Sequence, residues 1–253
     1  MKTKKSGPNY GNWVSARFVL VPGTIGLLLL VAACFLPGLA ILAVIFLLVA
    51  AYFIYARYLF APNGKNLQMK IWELLLNHLD WDGKGQALDI GCGNGPLVIA
   101  LAKKYPKGLI NGVDYWGKNW AYSQAMCENN ARLEGVENNV KFQKASASQL
   151  PFPDGSIDAV VSNLTFHEVP GQVNKRELLR EALRVVKKGG PFVFQDLFLV
   201  EPYYGKMDDL LETIQDWGIQ QVKFIETRNE AFIPKVLKLP FMLGTVGILV
   251  GKK

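Results

Sequence analysis

The sequence predicts an α/β protein in which a doubly wound, mainly parallel sheet follows a hairpin of two apolar helices. Three observations lead to this prediction. Residues 18–56 form a run of 39 without Asp, Glu, Lys, Arg or His. Strand and helix patterns alternate from Gln86 to Leu197. The segment Leu88–Gly95 holds the end of the first strand of that series, followed by a glycine-rich turn with glycines at 91, 93 and 95.

The apolar run is long enough for two membrane crossings, since a bilayer core takes ~20 apolar residues per helix. Pro37 and Gly38 near its middle indicate a turn. We therefore expect transmembrane helices over 18–36 and 39–58. A cleaved signal peptide fits less well because its apolar region is only ~7–15 residues long. A wholly buried hairpin of a soluble protein is the other alternative.

The net charge of +7 is concentrated around this run. Residues 1–60 hold five Lys and Arg and no acidic residue, whereas the rest of the chain holds 23 basic and 21 acidic side chains. A nucleic-acid partner is therefore not required, and anionic lipid at the basic flanks is the expected partner. Because the turn carries no charge, both ends and the following domain are expected on the cytoplasmic side of the cell membrane. The flanking basic residues are Lys2, Lys4, Lys5, Arg17, Arg57, Lys65 and Lys70.

The remainder, residues 61–253, is expected to form one domain after a membrane anchor of residues 1–60. An amphipathic helix is predicted over Asn66–Asp80. The alternation then predicts strands at Gln86–Ile90, Leu109–Asp114, Val140–Gln143, Ile157–Ser162 and Phe192–Leu197. Helices are predicted at Pro96–Lys104, Lys118–Glu134 and Gln172–Val186.

The spacing within the glycine-rich turn discriminates between cofactors. A dinucleotide fingerprint would need its third glycine at position 96, where this chain has Pro96. Proline has no backbone N–H to offer a pyrophosphate at a helix start. A carboxylate, Asp89, precedes the turn, so this edge suits a cationic ligand without phosphate.

The segment Leu88–Gly95 resembles motif I of the class I S-adenosylmethionine-dependent methyltransferases, and Ser146–Asp158 resembles a second stretch of the same family. The resemblance implies a Rossmann-like, seven-stranded methyltransferase sheet, closed by an antiparallel pair near Gln221–Glu226 and Thr245–Val250. It also implies S-adenosyl-L-methionine as cofactor. The motifs look closest to the small-molecule branch, which includes quinone and sterol methyltransferases.

The cofactor residues implied by the resemblance follow the strand ends. Asp114 is expected to accept hydrogen bonds from both ribose hydroxyls. Ser146 stands where the family usually has an acidic residue. Its hydroxyl would accept a hydrogen bond from the adenine amino group, without the charge assistance of a carboxylate. The other expected cofactor contacts are Asp89, Gly91, Cys92, Gly93, Gly95, Tyr115 with its neighbour Trp116, the backbone of Ala147, and Asn163.

His167 and Glu168 are the candidate catalytic residues, because they follow the strand whose end lies beside the reactive methyl group. A neutral imidazole could take the proton of a methyl acceptor, and Glu168 could orient the imidazole or bind a cationic substrate. A structural role for His167 is the alternative. No C-x-x-C or other metal-ligand spacing occurs, so no metal is expected.

The expected function is a membrane-anchored methyltransferase with a lipophilic or membrane-associated small-molecule acceptor. Two alternatives stay open: the same chemistry on a soluble metabolite or a protein, and a non-catalytic scaffold that only binds the cofactor.

Overall fold

The computed structural model describes residues 7–117, 122–219 and 221–253. The chain divides into two compact units. One comprises residues 12–71, and the other combines the residues up to Gly11 with residues 72–253.

The smaller unit is built on two apolar helices, α1 (Arg17–Ala32) and α2 (Leu39–Phe60). They run antiparallel, since the ring of Phe18 stacks on Phe53 at 5.1 Å while Gly26 lies opposite Leu47. A β-carbon at Gly26 would be 2.9 Å from the Leu47 side chain, so glycine permits the close approach of the two helices.

The first helix is shorter than predicted. It ends at Ala32, where hydrogen bonds from residue 34 to 31 and from residue 35 to 32 tighten the chain ahead of Pro37. By length and composition α2, with 22 residues and a mean hydropathy of 2.7, could cross a membrane, whereas α1 is a shorter apolar helix. A pair of membrane spans therefore stays a prediction. Lys2, Lys4 and Lys5 of the predicted basic flank lie outside the described residues.

The larger unit is a mixed sheet with flanking helices. Its strands are β1 (Gln86–Ile90), β2 (Leu109–Asp114), β3 (Val140–Lys144), β4 (Ala159–Asn163), β5 (Pro191–Asp196), β6 (Gln221–Glu226) and β7 (Gly247–Lys252). The remaining α-helices are α3 (Leu67–His78), α4 (Pro96–Lys104), α5 (Gln124–Leu133), α6 (Arg176–Val185), α7 (Glu201–Tyr204) and α8 (Met207–Asp216). Short 3₁₀ helices cover Phe166–Glu168, Thr227–Asn229 and Lys235–Leu237.

The strand order is β3-β2-β1-β4-β5-β7-β6. Strands β1 to β5 run parallel to one another, and β7 is antiparallel to both β5 and β6. This confirms the predicted seven-stranded sheet and its closing antiparallel pair. Because the parallel strands share one direction, their carboxyl ends meet at one edge, where ligands of such sheets bind.

Element boundaries differ from the predictions at a few ends. β4 begins at Ala159, since Ile157 forms only an isolated bridge with Val186. The helix α6 begins at Arg176, two residues after Asn174, whose side chain accepts the Arg176 N–H. The helix α5 begins after Ser123, which caps it by accepting the Met126 N–H, while residues 118–121 lie outside the described residues.

The core packs one face of the sheet against α6 and α8. Phe192 and Phe194 on β5 stack at 5.1 Å, and Phe166 meets Phe194 edge-on at 5.5 Å. All three side chains are buried. This aromatic packing fixes the start of the 3₁₀ helix that carries His167 next to the end of β5.

Candidate functional site

The glycine-rich turn between β1 and α4 can only be built with glycine at its first position. Gly91 has φ +74°, and a β-carbon there would lie 2.0 Å from the Thr165 hydroxyl oxygen. The backbone N–H groups of Gly91 and Cys92 both donate to the Val113 carbonyl, at 2.8 and 3.0 Å. These bonds hold the turn against the end of β2.

Asp114, at the end of β2, is bonded directly to this turn. One carboxylate oxygen accepts the Gly93 N–H at 2.9 Å, and the other accepts the Trp116 N–H at 2.7 Å. Burial raises the pKa of Asp114, although its backbone hydrogen bonds act in the opposite direction. The indole N–H of Trp116 donates to the Gly93 carbonyl at 2.8 Å. The carboxylate predicted to bind the ribose therefore lies beside the turn, and its role stays a prediction.

Three buried oxygens on β1, β4 and β5 near this edge have no hydrogen-bond partner among the described residues: Oδ1 of Asp89, Oδ1 of Asn163, and Oε1 of Gln195, which is in register with Asn163. These strands are neighbours in the sheet. Burial, and secondarily the nearby Asp114 carboxylate, hold the pKa of Asp89 well above its usual range. A buried acceptor without a partner costs about 1–3 kcal/mol, so these residues suit a ligand that brings N–H or O–H donors and positive charge. The ammonium, ribose and sulfonium groups of S-adenosylmethionine meet that requirement.

Cys92 is not a candidate nucleophile. Its side chain is buried, and burial raises the pKa of its thiol well above the ordinary value. The neighbouring Cys127 thiol donates to the Gly93 carbonyl at 3.1 Å. Cys92 therefore contributes to the turn as a small, neutral side chain.

His167 lies between two carboxylates. Its Nδ1 is 2.7 Å from Oδ1 of Asp196, and its Nε2 is 3.3 Å from Oε1 of Glu168. Asp196 closes β5, is fully buried, and accepts the Phe166 N–H at 2.8 Å through its other oxygen. A neutral imidazole has only one N–H, so pairing of both ring nitrogens with carboxylates requires the imidazolium form.

The pKa of His167 agrees with this geometry. Burial by itself would lower it, but the hydrogen bonds to Asp196 and Glu168 and their negative charges outweigh burial and raise it to about 9. The side chain of Asp196 is inaccessible, whereas that of Glu168 is 48% exposed. Of the two carboxylates, Glu168 is therefore the one that can exchange its place with a ligand.

Sequence reasoning missed Asp196, although a signal was present. Asp196 ends an apolar strand at the same edge as Asp114, which was identified on that ground. The signal for Asp196 is the same as for Asp114, a carboxylate at the end of a parallel strand.

Three other residues predicted to contact the cofactor, Tyr115, Ser146 and Ala147, follow the ends of β2 and β3. The Tyr115 side chain is 63% exposed, with its ring centre 5.1 Å from Nζ of Lys144. The Ser146 hydroxyl lies 2.7 Å from that of Ser148 in the turn after β3. Ala147 is buried in the core. Their contacts to the cofactor stay predictions.

Comparison with known proteins identifies the family. Residues 88–194 match a family described as a methyltransferase domain. A demethylmenaquinone methyltransferase of Staphylococcus aureus is 30% identical over 175 residues, which cover 62% of this chain and 68% of that protein. The chain belongs to the S-adenosylmethionine-dependent methyltransferases. Its cofactor is accordingly S-adenosyl-L-methionine. The N–H and O–H groups of this cofactor also suit the buried oxygens of Asp89 and Asn163, which have no hydrogen-bond partner among the described residues.

Other relatives of this methyltransferase are matched over a smaller part of their length. The 27-O-demethylrifamycin SV methyltransferase of Amycolatopsis mediterranei is 33% identical over 45% of this chain and 39% of its own. The methyltransferase GfsG of Streptomyces halstedii is 28% identical over 57% of this chain and 48% of its own. The chain thus spans about half or less of the length of these two relatives.

Solved structures agree on the fold. A geranyl diphosphate C-methyltransferase from Streptomyces coelicolor, crystallised with S-adenosyl-L-homocysteine, superposes with a TM-score of 0.55. It is 15% identical, and the match covers 74% of this chain and 80% of that one.

Proposed function

We propose that this protein is a membrane-anchored methyltransferase that transfers a methyl group to a lipophilic or membrane-associated small molecule. The observation that carries the proposal is the combination, in one chain, of a cofactor edge with an apolar helical pair whose large side chains are exposed. The proposed domains are a membrane anchor of residues 1–60 and a methyltransferase domain of residues 61–253.

The surface of α1 and α2 supports the membrane anchor. Soluble proteins rarely expose continuous apolar patches of this kind. At ~1.5 Å rise per residue, α2 is about 33 Å long, enough to cross a hydrocarbon core of ~30 Å. Basic flanks at Arg17, Arg57 and Lys65 favour a cytoplasmic domain in contact with anionic lipid. The most exposed large side chains of the pair and its turn are Leu20, Leu28, Val31, Phe35, Leu36, Ile41 and Leu48.

The relatives support a small-molecule acceptor. Their names include a demethylmenaquinone methyltransferase and a demethylrifamycin methyltransferase. An anchor that holds the enzyme at the bilayer would raise the local concentration of a lipophilic acceptor.

The reaction requires a site that keeps donor and acceptor aligned and, for an acceptor that binds in its protonated form, a group that removes the proton. Bound S-adenosylmethionine supplies an electrophilic methyl group on a sulfonium. The proposed roles of the chain follow from the cluster at His167. Asp196 orients the ring through Nδ1, and the imidazolium holds the Glu168 carboxylate through Nε2.

The proton of an acceptor hydroxyl, thiol or amine then has two routes. It passes to the exposed Glu168 carboxylate, or to His167 once Nε2 has given up its own proton at higher pH. An acceptor that binds already ionised needs neither route, since its anion would replace Glu168 beside the Nε2–H. In each case the geometry makes His167 and Glu168 a coupled pair.

The test uses methyl-labelled S-adenosylmethionine added to membrane extracts with the purified full-length protein. We expect the label in the lipid-soluble fraction, and loss of most of it with E168Q and H167Q. Label only in the aqueous or protein fraction would favour a soluble metabolite or protein acceptor. Cofactor binding without any transfer, under conditions where the protein is folded, would favour the non-catalytic alternative.

A further inference from the structure

A short segment near the amino terminus packs against the glycine-rich turn. We define residues 8–11 as the strap. The main chain of Asn9 is held by the side-chain amide of Asn130 on α5: its N–H donates to Asn130 Oδ1 at 2.9 Å, and its carbonyl accepts from Asn130 Nδ2 at 2.9 Å. Asn130 is fully buried although Asn9 itself is exposed.

The same buried amide also holds the cofactor turn. Asn130 Nδ2 donates to the carbonyl of Asn94, within the turn, at 3.0 Å. The Asn94 side chain in turn donates to the Asn9 carbonyl at 3.3 Å and accepts the Ser123 N–H, at the start of α5, at 3.3 Å. One buried amide therefore joins the strap, the turn and the helix that follows β2.

The outer end of the strap is fixed as well. The Tyr10 hydroxyl donates to Glu134 at 3.0 Å, and its ring meets Trp72 edge-on at 5.9 Å. Gly11 has φ +75°, and a β-carbon there would lie 3.1 Å from the Tyr122 ring. The same ring lies 3.5 Å from where a β-carbon of Gly93 would be, so it packs between the strap and the turn.

We propose that the strap positions the glycine-rich turn for the cofactor and that Asn130 is the positioning residue of this arrangement. The proposal rests on the assignment of the turn to S-adenosylmethionine. If the strap holds the turn in its binding conformation, cofactor binding and strap docking stabilise each other by the same factor, because linkage is reciprocal. The strap lies within residues 1–60 and precedes α1 in the chain.

The first measurement is the Kd for S-adenosylhomocysteine, by calorimetry, on the full-length protein in detergent micelles. N130L removes all three hydrogen bonds of the Asn130 side-chain amide while keeping the branched shape of the side chain, and we expect roughly tenfold weaker binding. N9P removes the Asn9 N–H, and we expect severalfold weaker binding. N9A is the matched control: it leaves both main-chain bonds to Asn130 intact and removes only the side-chain bond to the Gly11 N–H, so its Kd should match that of the unmodified protein.

The second measurement separates positioning from a merely structural role. Amide hydrogen exchange of residues 9–11 should slow when S-adenosylhomocysteine binds, and this response should vanish at residues 9–11 of N130L and at residues 10 and 11 of N9P. The proposal is overturned if folded N130L and N9P bind S-adenosylhomocysteine with unchanged Kd. It is also overturned if amide exchange of the strap in the unmodified protein has the same rate with and without the ligand. If N130L does not fold, N9P decides, since its substitution is on an exposed residue. Failure of the unmodified protein to bind the ligand would instead refute the proposed function.

Discussion

The charge of His167 can be measured directly, because the chain contains only two histidines, His78 and His167. A pKa of about 9 lies roughly 2.5 above the ordinary 6.5. At about 1.36 kcal/mol per pKa unit, this corresponds to about 3 kcal/mol of preferential stabilisation of the imidazolium. The conversion applies because the side chain of His167 is only 16% exposed.

The assay is an NMR titration of the protein labelled with ¹³C at histidine Cε1, with an H78Q variant to assign the two signals. We expect His167 to titrate with a midpoint of about 9. The midpoint of His78 should lie below 6.5, since burial lowers its pKa. D196N should lower the His167 midpoint more than E168Q does, because Asp196 is the buried partner at 2.7 Å and Glu168 the half-exposed one at 3.3 Å.

The same pKa predicts how stability depends on pH. Because the folded-state pKa of His167 is raised, its contribution is fully present below the unfolded value of about 6.5 and is lost as the pH rises through about 9. We expect the free energy of unfolding of the unmodified protein to fall over this window, and H167Q to show a flatter profile. A midpoint for His167 at or below 6.5, or equal pH profiles for both proteins, would refute the imidazolium and the roles derived from it.

Three further outcomes test the site and the anchor. D114N should bind S-adenosylmethionine severalfold more weakly by calorimetry, since it removes a charged acceptor of the ribose hydroxyls; unchanged affinity would exclude the ribose role of Asp114. G91A should lower the melting temperature and abolish cofactor binding, because its β-carbon meets the Thr165 hydroxyl, whereas G189A, at a similar φ of +79° with open space around it, should only lower stability slightly. If G91A and G189A lowered stability equally, the effect of G91A would come from its positive φ alone and not from the contact with Thr165. G26L should separate α1 from α2 and lower the melting temperature of the protein in detergent micelles, and a melting temperature equal to that of the unmodified protein would contradict the close packing at Gly26.

Much of the fold could be predicted because its signals are local. The glycines at 91, 93 and 95 adopt the positive φ values that their type permits, and Pro96 begins α4 where its missing N–H costs nothing. The alternation of apolar strands and helices was sufficient for the five parallel strands, because hydrophobic period and turn residues act within a few positions of the chain. The end of α1 was missed since nothing local distinguishes Ala32 from the apolar residues that follow.

The site required the tertiary structure. Asp114 and His167 were identified from strand ends in the sequence, but the charge of His167 depends on Asp196, 29 residues away, and on burial that no local pattern records. The strap depends on Asn9 and Asn130, which are 121 residues apart. By itself, the sequence determined where most strands and helices form, because propensity and glycine geometry are properties of short segments, and its resemblance to a known family implied the cofactor. Only the packed structure decided that His167 hydrogen-bonds to Asp196 and that the Asn130 amide hydrogen-bonds to Asn9 and Asn94. These contacts form between segments that are far apart in the sequence.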